Sequence, residues 1–181
     1  MGERPTDDEL QAVVDRSAID ELQRAYADGV TRRDWAQVAD LFLPDAAVEL
    51  DLVDRPGRTI EGPEALVGFV AGAIERFGFF EFVILNSRIR LWPGGDRTQA
   101  AATVFMCELR AEGEPPQRSE AFGRYEDAYR RTDAGWRIAG RRYRTVARFP
   151  DGVVHPLAEG ADAWGRALRI QRGSGSNPSC S

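Results

Sequence analysis

The sequence predicts an α+β sandwich, with three helices against one large, curved, mainly antiparallel sheet. Three observations carry this. Apolar residues recur at helical spacing through most of the chain before residue 78. The period changes to two from residue 79. Short breaks rich in turn formers then divide the chain into four long strands.

The first helix is predicted over 6–32. Thr6 followed by Glu9 has the capping-box pattern, and Leu10, Val13, Val14, Ala18, Leu22, Ala25, Tyr26 and Val30 form its apolar stripe. Asp34 caps a shorter helix carrying Trp35, Val38, Ala39 and Phe42, which Pro44 is expected to stop. Residues 46–54 alternate Val48, Leu50 and Leu52 with Glu49 and Asp51, a strand pattern that the "RPGR" break ends. Pro63 suits the first position of a third helix with Leu66, Val67, Val70, Ile74 and Phe77. The strands that follow are expected near 79–92, 98–111, 118–131 and 135–148, separated by "PGGD", "EGEPPQ" and "TDAG". After Asn86 the apolar parity moves to Ile89 and Leu91, which predicts a β-bulge. The domain is placed at 6–150. Residues 151–181 are read as a C-terminal extension with a possible short helix and a disordered end.

Composition narrows the function. All 24 basic residues are Arg, so lysine Schiff-base chemistry and a Walker-type phosphate loop are excluded. A net charge of −5 argues against nucleic acid or an anionic membrane as partner. The two Cys, Cys107 and Cys180, give no disulfide framework. "MGERPTDDEL" does not read as a signal peptide, and no apolar run reaches the roughly 18–20 residues that span a bilayer. The expectation is a cytoplasmic protein. One His and two separated Cys offer no metal-ligand spacing, so neither metal nor cofactor is expected. "FGFFEFVILN" (77–86) is apolar on both parities, so the strand needs cover on both faces. Phe79, Val83 and Leu85 on the outer parity predict a homodimer through the sheet.

This order of elements and its local sequences resemble the SnoaL-like and scytalone-dehydratase-like group of the NTF2-like superfamily. Three stretches carry the resemblance: "IDELQRAYADGVTRRDWAQVADLFLPDAAVEL" (19–50), "EGPEALVGFV" (61–70) and "GRYEDAYRRTDAGWRIAGRR" (123–142). It implies a cone whose sheet curls around the helices and leaves a deep, mostly apolar pocket. That superfamily includes dehydratases, steroid isomerases, polyketide cyclases and epoxide hydrolases, as well as noncatalytic subunits, so fold alone does not give function. In the dehydratase-like group a His often precedes the Asn of this strand by four residues, and helix one often carries an Asp. Here those positions are Phe82 and Thr31, while Asn86 is retained. The usual acid–base pair is therefore missing, and Phe82 is read as pocket lining.

Asp127 is the strongest remaining candidate for chemistry. It shares parity with Tyr125 and Tyr129, and a carboxyl on an apolar inward face should have a raised pKa. By resemblance to ketosteroid isomerases and SnoaL-type cyclases, it would act as acid/base or hydrogen-bond a developing enolate. The alternative is a buried ion pair, because closing the hairpin over "TDAG" sets Asp127 opposite Gly140 with Arg142 diagonally near. Asp51 is a second catalytic candidate, one residue from the isomerase position. Tyr26, Tyr125 and Tyr143 are candidates to orient a ligand oxygen, with Asn86 and Arg142 as further ligand contacts. Glu81 and Glu108 are expected on the outer side of the sheet or against a partner. The function expected is binding of a small hydrophobic ring-containing molecule, with cofactor-independent isomerisation, cyclisation or dehydration. The alternative is a noncatalytic ligand-binding or scaffold subunit.

Overall fold

The computed structural model describes residues 4–52, 56–150 and 153–154. The reading of a C-terminal helix, a disordered end and any role for His155 lies outside the described residues. Helix α1 (Asp7–Arg32) starts at Thr6, whose side chain accepts from the Glu9 amide while Glu9 reaches back, so the expected capping box forms. α2 (Trp35–Asp40) starts at Asp34, which accepts from the Gln37 amide. The two helices approach closely at Gly29, where a Cβ would lie 2.9 Å from Val38 Cγ2.

α2 ends at Asp40, before Pro44, because the chain has already entered strand β1 (Phe42–Asp51). Pro44 lies where β1 pairing is interrupted between Phe42 and Ala47, a gap that suits a residue with no N–H. The sequence reading missed β2 (Arg58–Glu61), which has four residues and only Ile60 buried. Helix α3 (Pro63–Ile74) follows, so it stands between the first strand pair and the meander. Arg33, in the left-handed region after α1, donates to the Phe77 carbonyl at 2.5 Å and ties the exit of α3 to α1.

β3 (Phe79–Leu91), β4 (Gln99–Glu112), β5 (Gln117–Thr132) and β6 (Gly135–Phe149) form the expected antiparallel meander, each within two residues of its predicted ends. The sheet order is β2-β1-β6-β5-β4-β3, with β1 parallel to β6 and β7 (Val153–Val154) paired to β6. The bulge near Asn86 is present, since the β3–β4 register slips between Ile84 and Asn86.

The inner face of this sheet packs on α1, α2 and α3 to form the core. At one end Asp15, 1% exposed, accepts from Trp92 Nε1 at 3.0 Å and Trp136 Nε1 at 3.4 Å, and it pairs with Arg131. No helix in the described residues is long and apolar enough to cross a membrane.

Candidate functional site

The wall and floor of the cone enclose a cavity of about 1000 Å³. Alternation sets the wall. Tyr125 on β5 and Tyr143 on β6 are register partners, and Leu50 on β1 pairs with Tyr143. Tyr26 arrives from α1, and Phe82 from β3. These rings form a cage: Phe82 stacks on Tyr125 at 6.0 Å, Tyr26 meets Phe82 edge-on at 5.5 Å, and Tyr125 tilts against Tyr143 at 5.4 Å. Gly123 makes room for Tyr143, because a Cβ there would lie 2.3 Å from that ring and 2.9 Å from Met106 Sδ.

Arg141 lines this cavity although it is only 3% exposed. Its guanidinium lies between two phenols, 4.0 Å from the Tyr125 ring centre and 4.2 Å from that of Tyr26. Such desolvated cation–π contacts are worth about 2 kcal/mol. Its Nε and Nη2 donate to the two Asp127 oxygens at 2.7 and 2.8 Å. Asp127 Oδ2 also accepts from the Tyr129 hydroxyl at 2.8 Å, and that hydroxyl accepts from Gln23 Nε2 at 2.9 Å. Arg141 Nη1 is buried with no hydrogen-bond partner among the described residues. Burial opposes its charge, but the Asp127 carboxylate and its hydrogen bonds outweigh that and hold Arg141 above its ordinary value.

The phenols resist ionisation. Burial raises Tyr26, partly offset by Arg141, and burial pushes Tyr125 well above its usual value. Burial also lifts Tyr143 to about 12, and Thr145 Oγ1 donates to its hydroxyl at 3.3 Å. These are neutral groups over the ordinary pH range, suited to donating a hydrogen bond.

Several expected positions change. Asp127 faces inward as expected, yet it does not line the cavity, and its partner is Arg141 rather than Arg142. The cause is a bulge. Register counted from the turn holds to Tyr129 opposite Ile138, then skips Ala139, so Asp127 meets Arg141 instead of Gly140. Arg142 faces the outer side, where its Nε donates to Glu49 at 2.7 Å. Asp51 is also on the outer side, with its carboxylate 3.6 Å from Arg144 Nε. Asp51 and Arg142 line a separate outer depression of about 320 Å³, not the cone. Asn86 is exposed on β3 beside the bulge, away from the cavity. Thr31 and Phe82 do meet, but structurally: the Phe82 amide donates to Thr31 Oγ1 at 3.0 Å.

Tyr26, Tyr125, Tyr143 and Phe82 line the cavity. The sequence reading missed Arg141, hidden beside Arg142 and Arg144, and Glu108. Glu108 continues the inward parity of Ala102, Val104 and Met106, so it lines the cavity rather than the outer face. β4 is apolar on both faces, so hydropathy does not settle its parity there. Among the described residues, no three His, Cys, Asp or Glu side chains gather to hold a metal.

The aromatic cage and Arg141 line one cavity between the sheet and the helices. The chain belongs to the SnoaL-like domain family, whose sequence profile matches residues 11–142. No curated protein matches it. Among solved structures it is similar to hexachlorocyclohexane dehydrochlorinase LinA-type3 from Novosphingobium barchaimii LL02. That match has 21% identity and a TM-score of 0.67, and it covers 83% of this chain and 99% of the other. It is similar to LinA at 19% identity and TM-score 0.68, covering 82% and 98%. It is also similar to an NTF2-like protein with a cystatin-like fold from Novosphingobium aromaticivorans at 21% identity and TM-score 0.63, covering 89% and 92%. These likenesses establish the NTF2-like fold.

Proposed function

We propose that this chain binds a small, hydrophobic, ring-containing molecule in the cone, with an acceptor oxygen of that molecule on Arg141. The carrying observation is the Arg141 guanidinium, which lines the cavity between two phenol rings. A hydrogen bond to a charged donor contributes about 1.5–3 kcal/mol, so a ligand oxygen on it is favoured. The cavity volume, about 1000 Å³, suits a compact polycyclic molecule. Fixed donors in a dry site also favour negative charge building on that oxygen, as in an enolate. The reaction class we assign is therefore cofactor-independent proton transfer, giving isomerisation, cyclisation or dehydration. A similar structure bears the name of a dehydrochlorinase, which supports elimination-type chemistry. In this reading Asp127 fixes Arg141 and does not itself carry the proton.

A second reading is a noncatalytic binding protein. It is favoured by the Phe82 amide to Thr31 hydroxyl bond, which commits those two positions to structure.

Calorimetry with tetralone, a bicyclic ketone, and tetralin, its hydrocarbon counterpart, tests the oxygen site. A hydrogen bond to a charged donor contributes about 1.5–3 kcal/mol, so tetralone should bind at least about tenfold tighter. Equal affinities would overturn the role given to Arg141. Binding of neither would overturn the pocket reading.

We also propose a homodimer through the outer face of β3, where Phe79 and Leu85 are 49% and 55% exposed. It would bury on the order of 1,200–2,000 Å². Sedimentation of a monomer alone at micromolar concentration would contradict it. A cytoplasmic setting is supported by the free thiol of Cys107.

A further inference from the structure

Three carboxylates line the cavity among the described residues: Glu108, Glu112 and Glu120. Glu112 is 40% exposed and pairs with Arg76, and Glu120 is exposed near the start of β5. Glu108 differs. Its side chain is 16% exposed, and its strand neighbours are Phe82 on β3 and Ala121 on β5. It therefore adjoins the aromatic cage. Its charge also reaches the cage, raising the pKa of Tyr26, Tyr125 and Tyr143. Arg110 holds Oε2, with Nε donating at 3.0 Å and Nη2 adding a second bond. Oε1 accepts no hydrogen bond among the described residues, so one acceptor oxygen stays available. Tyr26, Tyr125, Tyr143 and Arg141 line the same cavity, and β3 offers Phe82.

We infer that Glu108 is the general base of this cavity, taking a proton through Oε1 from a ring carbon made acidic by a nearby electron-withdrawing group. This rests on the binding reading above, because the substrate must sit in the cage. It deepens that reading by naming the substrate class: a ring compound with an activated C–H that lies on the Glu108 wall when its oxygen lies on Arg141.

Nitrobenzisoxazole is a probe of this chemistry that needs no knowledge of the natural substrate. Glu108 takes the ring C–H proton. The C–H electron pair forms the nitrile as the N–O bond breaks, and that bond's pair leaves on the phenolate oxygen. The carboxyl then returns its proton to water, and the nitrophenolate is read by absorbance. The full-length protein should turn the probe over faster than acetate at matched concentration. Tetralone should inhibit this turnover. Glu108→Gln should lose about 10²-fold or more. Glu108→Asp keeps the charge beside Arg110 and should retain part of the rate. It is the variant to read if Glu108→Gln fails to fold.

A folded Glu108→Gln that keeps the rate, or a folded Glu108→Asp that turns the probe over no faster than acetate does, would overturn the assignment. If tetralone binds as expected in those cases, the binding reading survives and only the base is wrong. If tetralone does not bind, the binding reading falls first.

Discussion

Replacing Asp127 with Asn tests the pair that sets the floor of the cone. Asp127 is fully buried and Arg141 is 3% exposed, and two hydrogen bonds of 2.7 and 2.8 Å join them. Asn keeps the shape but not the charge, so the Arg141 cation is left uncompensated. Removing one partner of such a pair destabilises by about 3–5 kcal/mol. At roughly 2–4 °C per kcal/mol for a chain of this size, the melting temperature should fall by about 6–20 °C. Circular dichroism on heating measures it. Adding Arg141→Met should recover most of the loss, since two neutral groups no longer strand a charge. Arg142→Ala is the contrasting control. Arg142 and Glu49 are 30% and 36% exposed, so water screens their pair and the effect should stay within about 1 kcal/mol. An Asp127→Asn protein that melts within about 2 °C of the wild type, or a larger loss for Arg142→Ala, would refute the reasoning.

Three further outcomes follow from the same packing. Gly123→Ala drives a methyl into the Tyr143 ring and Met106, so the urea midpoint should fall by the equivalent of about 1–3 kcal/mol with an unchanged slope. Burial works against the charge of Asp15, but hydrogen bonds from Gln11, Arg131, Trp92 and Trp136 outweigh it and lower its pKa. A lowered folded pKa adds stability above the unfolded carboxylate value and loses it as pH falls through the folded one. Urea midpoints should therefore drop on acidification below about pH 4, and Asp15→Asn should flatten that dependence. All four tyrosines lie above the ordinary phenol value, chiefly through burial. The folded protein prefers the neutral phenols. That stability is present below about pH 10 and is lost as pH rises through the folded values, so phenolate absorbance should appear at higher pH than for free tyrosine and should rise on unfolding.

Much of the fold was legible because its punctuation is local. "PGGD", "EGEPPQ" and "TDAG" set the meander, and Thr6, Asp34 and Pro63 set the helix starts. The Asn86 parity change also reported its bulge correctly. The floor of the site was less legible. A single bulged residue, Ala139, puts Arg141 instead of Gly140 opposite Asp127, and nothing in "WRIAGRR" marks it. One slipped position reverses every facing beyond it, so the ion pair was anticipated and its cation was not. Glu108 was placed outside because a charge among apolar residues is usually a solvated one. Its inward direction follows from the β4–β5 register, a long-range fact. The same holds for Asp15, whose partners Trp92, Arg131 and Trp136 come from elements far along the chain.

The most direct measurement is a crystal structure of the protein with tetralone bound. The ring should lie among Tyr26, Phe82, Tyr125 and Tyr143, with the ketone oxygen about 2.7–3.2 Å from a nitrogen of the Arg141 guanidinium. A ketone turned toward the mouth, or a ligand bound outside the aromatic cage while Arg141 stays unengaged, would contradict the assignment of the cone as an oxygen-gripping pocket.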